Sequence, residues 1–484
     1  MSDVKKETLS GAKWTMLQKM TMQPVQFVYG IILARLISPE EFGILGLTAI
    51  FFSIGAQLQD CGFGSSLIRN IHRTEKDINT VFLTNVAMSC LISSTLWFSA
   101  PLFVEFFHQP ALLWLTRASA LMMFLNSTGS VHWTLYTCRR DFKTPAILRT
   151  ITTLVAMPFT IWAAYAGWGY WALMTQSLIS GLLSLVCVWY LSPWKPSFLW
   201  SGESFRNSFA YGSKLLVSGI FSSAYGHLKA FLIGKVYTPA DLGLFNRAWH
   251  LATLPNATIN SMLGSVTFPI LATLQEDESR LLDVYCKYIR VTSLPIFFGA
   301  CLLFALAKPA ISFIYGPNWV ICSDYLQIII WAVMTYHILT INNNLLLVKG
   351  RSDLVLRINL AQKIFAVVVM VPIIFVSVMA ICWAALISVP FNIFTSTYYT
   401  SKLYGLTLKK QFSDFVPYML FSCISCAPAY LLTFTSLPDF LKLLFGSLVA
   451  ILCYWGILSV KKDSAYLLIK QTLLSSKFGK MLSF

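Results

Sequence analysis

The sequence predicts an all-α polytopic membrane protein. It should have fourteen transmembrane helices, arranged as two pseudo-symmetric six-helix lobes around a central cavity plus two C-terminal helices. Three observations predict this. Hydrophobic residues make up 56% of the 484 and charged residues only 12%, with mean hydropathy +0.67. A soluble chain of this length cannot enclose so much apolar surface, so lipid must be its solvent. The apolar residues also fall in runs that each cross a hydrocarbon core of roughly 30 Å at 1.5 Å per residue. Finally, one string occurs twice, ARLISPEEFGILGL at 34–47 and GKVYTPADLGLFNR at 234–247.

Each copy of the string reads as the end of one helix and the start of the next. Arg35 answers Lys235, Ser38 answers Thr238, Pro39 answers Pro239, Glu41 answers Asp241 and Gly43 answers Gly243. Ser38 and Thr238 are N-caps, the prolines take the first helical position, and the acids complete a capping box. Either copy alone is a common signal. Two copies, each between long apolar runs, indicate a duplicated bundle of membrane helices.

The first six segments run at about 11–36, 40–67, 79–103, 111–135, 145–166 and 168–191. Segments 7 to 12 run at about 208–236, 240–272, 285–307, 321–347, 354–377 and 379–401. Segments 13 and 14 follow at about 413–434 and 438–459. Further echoes support the duplication. Arg140-Asp141-Phe142 before segment 5 resembles Arg351-Ser352-Asp353-Leu354 before segment 11. Ala156-Met157-Pro158 resembles Met370-Val371-Pro372, and Tyr170-Trp171-Ala172-Leu173 resembles Cys382-Trp383-Ala384-Ala385-Leu386. The domains are therefore an N-terminal six-helix lobe at 1–192, a second lobe at 206–404, and segments 13 and 14 with a basic tail at 405–484. Six is even, so the lobes share one orientation, related by an axis along the membrane normal with a cavity between them.

The net charge of +16 does not point to nucleic acid, because the basic residues alternate between loops as membrane anchors do. One side holds Lys5, Lys6 and Lys13, then Arg69, Arg73 and Lys76, then Arg139, Arg140, Lys143 and Arg149. The same side holds Arg280, Lys287 and Arg290, and the tail lysines 461, 462, 470, 477 and 480. The other side holds only Arg35, Lys235, Lys308 and Lys442. By the positive-inside rule both termini lie in the cytoplasm. No early apolar core ends in a small-residue cleavage site, so no signal peptide is expected. Eleven cysteines are scattered through apolar runs; Cys423 and Cys426 form a CxxC with no matching pair, which reads as small apolar filler and not as a metal or redox site. No cofactor is expected.

Ionisable groups inside membrane segments are costly and mark wet cavities or partners. Lys229 lies nine residues before Thr238 and Arg247 nine after it. In an antiparallel hairpin both sit roughly 13 Å from the turn. Like charges at equal depth repel, which favours an anion between them. The first-lobe equivalents are Tyr29 and Leu47, so the duplication broke its symmetry here. Polar stripes at helical spacing surround these cations: Ser218, Ser222, Tyr225 and Lys229 in segment 7, and Asn246, Arg247, His250, Thr253 and Asn260 in segment 8. Segment 1 carries Thr15, Lys19, Gln23 and Gln26, and segment 2 carries Ser53, Gln57 and Asp60. Helix packing through hydroxyls explains Ser218 or Ser222 equally well, but not Lys229 and Arg247. Lys19 and Asp60 can simply pair or reach the inner interface. Arg117 begins segment 4, where an interfacial role competes with a cavity role. Lys363 lies roughly 15 Å into segment 11. His132, His227, His250 and His337 are isolated, which suits hydrogen bonding better than ligation. The inferred cavity is cationic with one embedded acid, Asp60, so an anion such as phosphate or pyrophosphate suits it. Trp14, Tyr29, Tyr225 and Trp249 lie on the same segments and offer faces for sugars, although interfacial packing explains Trp14 better.

With these residues in view, the chain resembles the Wzx-type polysaccharide flippases of the multidrug/oligosaccharidyl-lipid/polysaccharide (MOP) exporter superfamily, in the colanic-acid-exporter-like branch. GKVYTPADLGLFNRA at 234–248, LAKPAISFIYGPNW at 306–319 and KGRSDLVLRIN at 349–359 carry the resemblance, and ARLISPEEFGILGL fits as well. It covers the twelve-helix duplication and the two added helices. The resemblance implies a flippase that turns an undecaprenyl-pyrophosphate-linked oligosaccharide (an O-antigen, capsule or exopolysaccharide unit) across the inner membrane by alternating access. It implies a cavity lined largely by segments 1, 2, 7 and 8, with pyrophosphate bound by Arg247 and Lys229 and by Lys19 and Lys363. Arg117 joins them as a fifth candidate, and Asp60, Gln23, Gln26, Tyr225, Asn246, His250 and Asn260 as polar lining. Its partners would be membrane lipid, the lipid-linked oligosaccharide, and the polymerase and glycosyltransferases of the same pathway.

Two other readings compete. A cation-coupled drug exporter of the same superfamily would need membrane-embedded acids, and the segments offer almost none. A membrane glycosyltransferase or polymerase would need a donor site or a large outer loop. Glu40 and Glu41 are better explained as helix caps, because Asp241 repeats them. The chain is therefore expected not to be an enzyme.

Overall fold

In a computed structural model, residues 2–461 and Tyr466 are described; the side chains of 2–13, 15, 16 and 257–270 lie outside that description. The expected basic tail beyond Lys461, the anchors Lys5, Lys6 and Lys13, and the side chains of Thr15 and Asn260 therefore fall outside the described residues.

The described residues are overwhelmingly helical, with no strand among them. They form two compact units, Met1–Gly243 and Leu244–Phe484. The first contains α1 (Ser2–Leu36), α2 (Pro39–Asp60), α3 (Phe63–Arg69), α4 (Glu75–Phe107), α5 (Leu112–Cys138), α6 (Lys143–Tyr165), α7 (Tyr170–Leu191) and α8 (Gly202–Val236). Helix α9 (Pro239–Thr273) starts in the first unit and continues into the second. The second unit continues with α10 (Glu278–Ala305), α11 (Ala307–Tyr315), a 3₁₀ turn at Pro317–Trp319, α12 (Ile321–Val333), α13 (Tyr336–Val348) and α14 (Ser352–Ile373). Helices α15 (Val378–Tyr404), α16 (Leu408–Leu432) and α17 (Asp439–Lys461) complete it.

Among the described residues, 11 helical stretches are long and apolar enough to cross a membrane, counting Ile321–Val348 as one. The other three segments of the sequence reading fall in α1, α5 and α9, helices of 35, 27 and 35 residues. Two segments are broken where a single helix was expected. The segment at 40–67 divides because Cys61 and Gly62 take left-handed backbone, φ 47° and 72°, ending α2 and starting α3. A close backbone approach accompanies the break: a Cβ built on Gly212 of α8 would lie 2.2 Å from the Cys61 carbonyl oxygen. The segment at 321–347 divides at Met334 and Thr335 into α12 and α13.

The repeated turns fold as their sequences require. Ser38 Oγ accepts from the Glu41 N–H at 3.4 Å, and Glu41 Oε2 accepts from the Ser38 N–H at 2.9 Å. In the second copy Thr238 Oγ1 accepts from the Asp241 N–H at 3.2 Å and Asp241 Oδ2 accepts from the Thr238 N–H at 3.3 Å. Each box satisfies N–H groups that a helix start leaves without intrahelical partners. The two turns also meet. A Cβ on Gly43 would stand 1.6 Å from the Pro239 carbonyl oxygen, and one on Gly243 would stand 1.9 Å from that of Pro39. Both motif glycines are thus fixed by the same reciprocal contact, which no side chain fits.

Small residues bring other helices together, as membrane packing favours. In the first unit Ala163, Ala164 and Ala172 pack with Tyr29, Leu33, Met157 and Leu173. In the second, Cys301, Ala305, Cys426, Ala429 and Ala450 pack α10 on α16 and α17. Cys426 sits in that core as an apolar filler, and the Cys301 and Cys423 sulfurs lie 3.7 Å apart as free thiols.

Candidate functional site

Lys229 and Tyr225 lie one turn apart on α8, both half-buried, and Ser218 and Ser222 continue their stripe on exposed positions. Gln57 of α2 packs onto this helix: its Oε1 lies 2.3 Å from where a Cβ on Gly219 would stand. The first-repeat counterpart of Lys229 is engaged differently. Tyr29 is 7% exposed and its hydroxyl donates to Gln176 Oε1 at 2.9 Å, tying α1 to α7.

Arg247 is half-buried in α9, in the second unit. Its guanidinium carbon sits 5.2 Å from the Tyr315 ring centre and 5.5 Å from that of Trp319. The sequence sets this geometry locally. Gly316 takes φ 96°, a value only glycine adopts readily, and the following 3₁₀ turn presents Trp319 beside Tyr315. The two rings and a side-chain hydrogen bond with Tyr315 hold the guanidinium in place. Asn246 is half-buried next to it, and His250 is exposed one turn on. The Asn260 side chain lies outside the described residues.

Lys363 is half-buried within α14. Beside it, Gln362 donates to the Asn392 carbonyl and to Thr395 Oγ1, both at 3.0 Å, joining α14 to α15. Arg117 stands between Trp97 and Trp114, 5.5 and 5.1 Å from their rings, and its Nε is buried. Lys19, Gln23 and Gln26 are exposed on α1, and Asp60 is exposed at the end of α2. Asp60 Oδ1 accepts from the Gly64 N–H at 3.4 Å, so it serves the start of α3. Among the described residues no ion pair joins it to Lys19. Trp14 carries the Lys143 ammonium 5.3 Å from its ring. Of the histidines, His132 Nδ1 bonds Ser192 Oγ at 2.9 Å and His337 Nε2 bonds Ser293 Oγ at 2.9 Å.

The structure corrects one expectation and adds residues that sequence reasoning missed. Asp60 is not the one embedded acid. Asp414, 1% exposed at its side chain, lies in α16 and pairs with Arg290 of α10, Nη2 to Oδ1 at 2.6 Å. Both residues come near the ends of their apolar runs, and by sequence Arg290 counts among the charges of the cytoplasmic side. Close by, Tyr285 donates to Asn342 Oδ1 at 2.5 Å and Thr400 donates to Gln411 Oε1 at 3.0 Å. Arg149 was also missed. It was counted with the loop charges, but it projects from α6 into a polar cleft of about 380 Å³ between α1, α5, α6 and α7. Its guanidinium lies 5.2 Å from the Trp133 ring centre. The signal available was its place about two turns inside α6, followed by Thr152 and Thr153.

Comparison with known proteins agrees with this architecture. Residues 32–324, more than half of the chain, match the family model described as polysaccharide biosynthesis protein. The teichuronic acid biosynthesis protein TuaB of Bacillus subtilis (strain 168) is 23% identical over 359 residues, which are 73% of this chain and 74% of that protein. The lipopolysaccharide biosynthesis protein WzxC of Escherichia coli (strain K12) is 20% identical over 74% of this chain and 73% of its own. The solved inward closed structure of the lipid II flippase MurJ superposes with TM-score 0.71 at 13% identity, covering 94% of this chain and 100% of that one. These matches bear out the resemblance to Wzx-type flippases of the MOP exporter superfamily. The chain belongs to the polysaccharide biosynthesis protein family.

Proposed function

We propose that this multi-pass membrane protein is a flippase that moves a polyprenyl-pyrophosphate-linked oligosaccharide across the bacterial inner membrane. The observation that carries this reading is the set of half-buried cations, Lys229, Arg247 and Lys363, well inside long apolar helices of a chain from a polysaccharide family. A cation in such a helix is costly, and embedded cations mark substrate and ion pathways. In the proposal all fourteen segments cross the membrane, both termini are cytoplasmic, and α16 and α17 are additions to two six-helix lobes. The lobes alternate about the axis between them. Lys19 attracts the anionic headgroup at the cytoplasmic mouth, and Lys229, Arg247 and Lys363 hold its pyrophosphate deeper. The polyprenyl tail stays in lipid. A membrane potential negative inside favours outward movement of the anion by about 2.3 kcal/mol per charge per 100 mV. The names of the relatives, which place them in teichuronic acid and lipopolysaccharide synthesis, support this substrate class.

The glycosyltransferase reading finds little support, because the Glu41 carboxylate is occupied by the Ser38 cap. The drug-exporter reading is weakened because Asp414 is paired with Arg290. The test is surface polysaccharide in cells carrying Lys229→Ala and Arg247→Ala together, at wild-type protein levels in the membrane. Export should fall by about tenfold or more, the loss of at least one charge-assisted contact. Arg247→Lys should recover part of it. Wild-type export from the double variant would overturn the reading.

A further inference from the structure

The polar cleft inside the first unit has no part in the pyrophosphate reading. We propose that it is a sugar subsite that recognises a residue carrying one carboxylate, such as a uronic acid. The inference rests on the chain carrying a glycan, and it adds which sugar chemistry that glycan presents.

Four observations support it. The cleft encloses about 380 Å³, inside the range of small-molecule pockets, roughly 300–1,000 Å³. Gln18 and Gln26 of α1 and Asn126 of α5 line it with carboxamides, and Ser184 of α7 adds a hydroxyl. Carboxamides both donate and accept, which is what a ring of sugar hydroxyls needs. Trp133 supplies a flat apolar face. Arg149 is the one cation in the lining, and no carboxylate lines the cleft among the described residues.

The geometry favours a single in-plane anion. Arg149 rests against the Trp133 ring, so its face is covered and its fork of N–H groups remains free to meet two oxygens in one plane. A carboxylate presents those two oxygens and balances the one charge. A neutral sugar would satisfy the amides and leave the exposed guanidinium without an anion. The surrounding hydrogen bonds keep the cleft in shape. Thr152 and Ser184 share one at 3.0 Å, joining α6 to α7. Gly181 leaves room for the Asn126 amide, whose oxygen and nitrogen both lie 3.5 Å from where a Cβ would stand. Asn126 therefore packs against α7 at Gly181, where an added Cβ would be 2.6 Å from Met122 Cε.

The test is binding of soluble probes to the full chain in lipid nanodiscs, with no transport required. The probes are methyl glucuronide, methyl glucoside and inorganic pyrophosphate, followed by calorimetry or saturation-transfer NMR. The wild-type protein should bind the glucuronide about tenfold more tightly than the glucoside, the worth of one charge-assisted pair. Arg149→Gln should remove that preference and leave glucoside binding within about twofold. Should Arg149→Gln not fold, Asn126→Asp does the same work, because it adds a negative charge to the same cleft and repels the acid. Equal wild-type affinities for the two glycosides would overturn the proposal, as would a preference that survives both variants. Arg149-dependent binding of pyrophosphate tighter than that of the glucuronide would also overturn it, and would make the cleft a phosphate site. Export is not part of the readout. Glucuronide binding that persists in a chain failing the flippase test, or the reverse, separates the two readings.

Discussion

At residue 38 and again at residue 238 a hydroxyl caps a helix, an acid three residues on returns the bond, and a glycine two further on lets the turns touch. Nine residues to either side the copies part. Tyr29 and Leu47 are buried, 7% and 3% exposed, whereas Lys229 and Arg247 are half-buried cations. Tyr29 bonds across to α7, and Leu47 fills the space against Gly234, where a Cβ would meet its Cδ2 at 2.2 Å. Arg247 rests on Tyr315 and Trp319. The difference separates two kinds of constraint. Backbone geometry at the turn admits few residues, so both copies kept them. Side chains one hairpin arm away can serve either packing or charge, and the two repeats divided these tasks.

Exchanging the divided positions should break the comparison most severely. Leu47→Arg would place a charge against Gly234 with no space for it. It should destabilise by about 3 kcal/mol, the scale of an arginine forced into an apolar membrane helix. Arg247→Leu should cost less, about 1–2 kcal/mol for its contacts with Tyr315 and Trp319, and should lower export by about tenfold. Equal tolerance of the two swaps would mean that the repeats are not divided in this way.

The motif glycines test the shared part. Gly43→Ala and Gly243→Ala each add a methyl where a proline carbonyl already stands, 1.6 and 1.9 Å away. Each should cost about 1–3 kcal/mol, the usual penalty for overpacking. Gly226 of α8 has nothing within 4 Å of a built Cβ. Gly226→Ala should therefore stabilise its helix by about 0.5–1 kcal/mol. Thermal unfolding of the three variants decides it. Matched losses at 43 and 243 sharpen the pseudo-symmetry, and a loss at only one of them removes it.

Much of the fold was legible because periodic apolar runs and helix caps are local signals. The long apolar helices, both capping boxes and the break in charge symmetry could all be read from residues near each other in the chain. What the sequence hid depends on contacts between distant residues. The break at Cys61 and Gly62 accompanies the approach of Gly212, about 150 residues away in sequence. Asp414 at the start of segment 13 acquires its role only through Arg290, 124 residues away in sequence. Arg149 looked like an anchor because counting charges by side ignores how far a long side chain turns into a bundle. For the candidate site, the residue types were visible and the groupings were not. Gln26 was grouped with Lys19 by spacing on α1, and in the structure it joins Arg149 and Trp133.

The smallest effect distinguishes the two caps. Ser38 is half-buried, and its partner Glu41 packs against α7: a Cβ on Gly169 would lie 2.1 Å from Glu41 Oε1. Thr238 is exposed, and water can replace its bonds. Ser38→Ala should therefore cost about 1.5 kcal/mol and Thr238→Ala about 0.5, above and below the typical value of about 1 for a lost N-cap. Losing the Ser38 hydroxyl also leaves Glu41 with one fewer donor in a place where water reaches it less easily. That is why the penalty should exceed the mean. Urea or thermal unfolding of the two variants in one detergent measures the gap. A larger loss at Thr238 would show that burial does not set the strength of these caps.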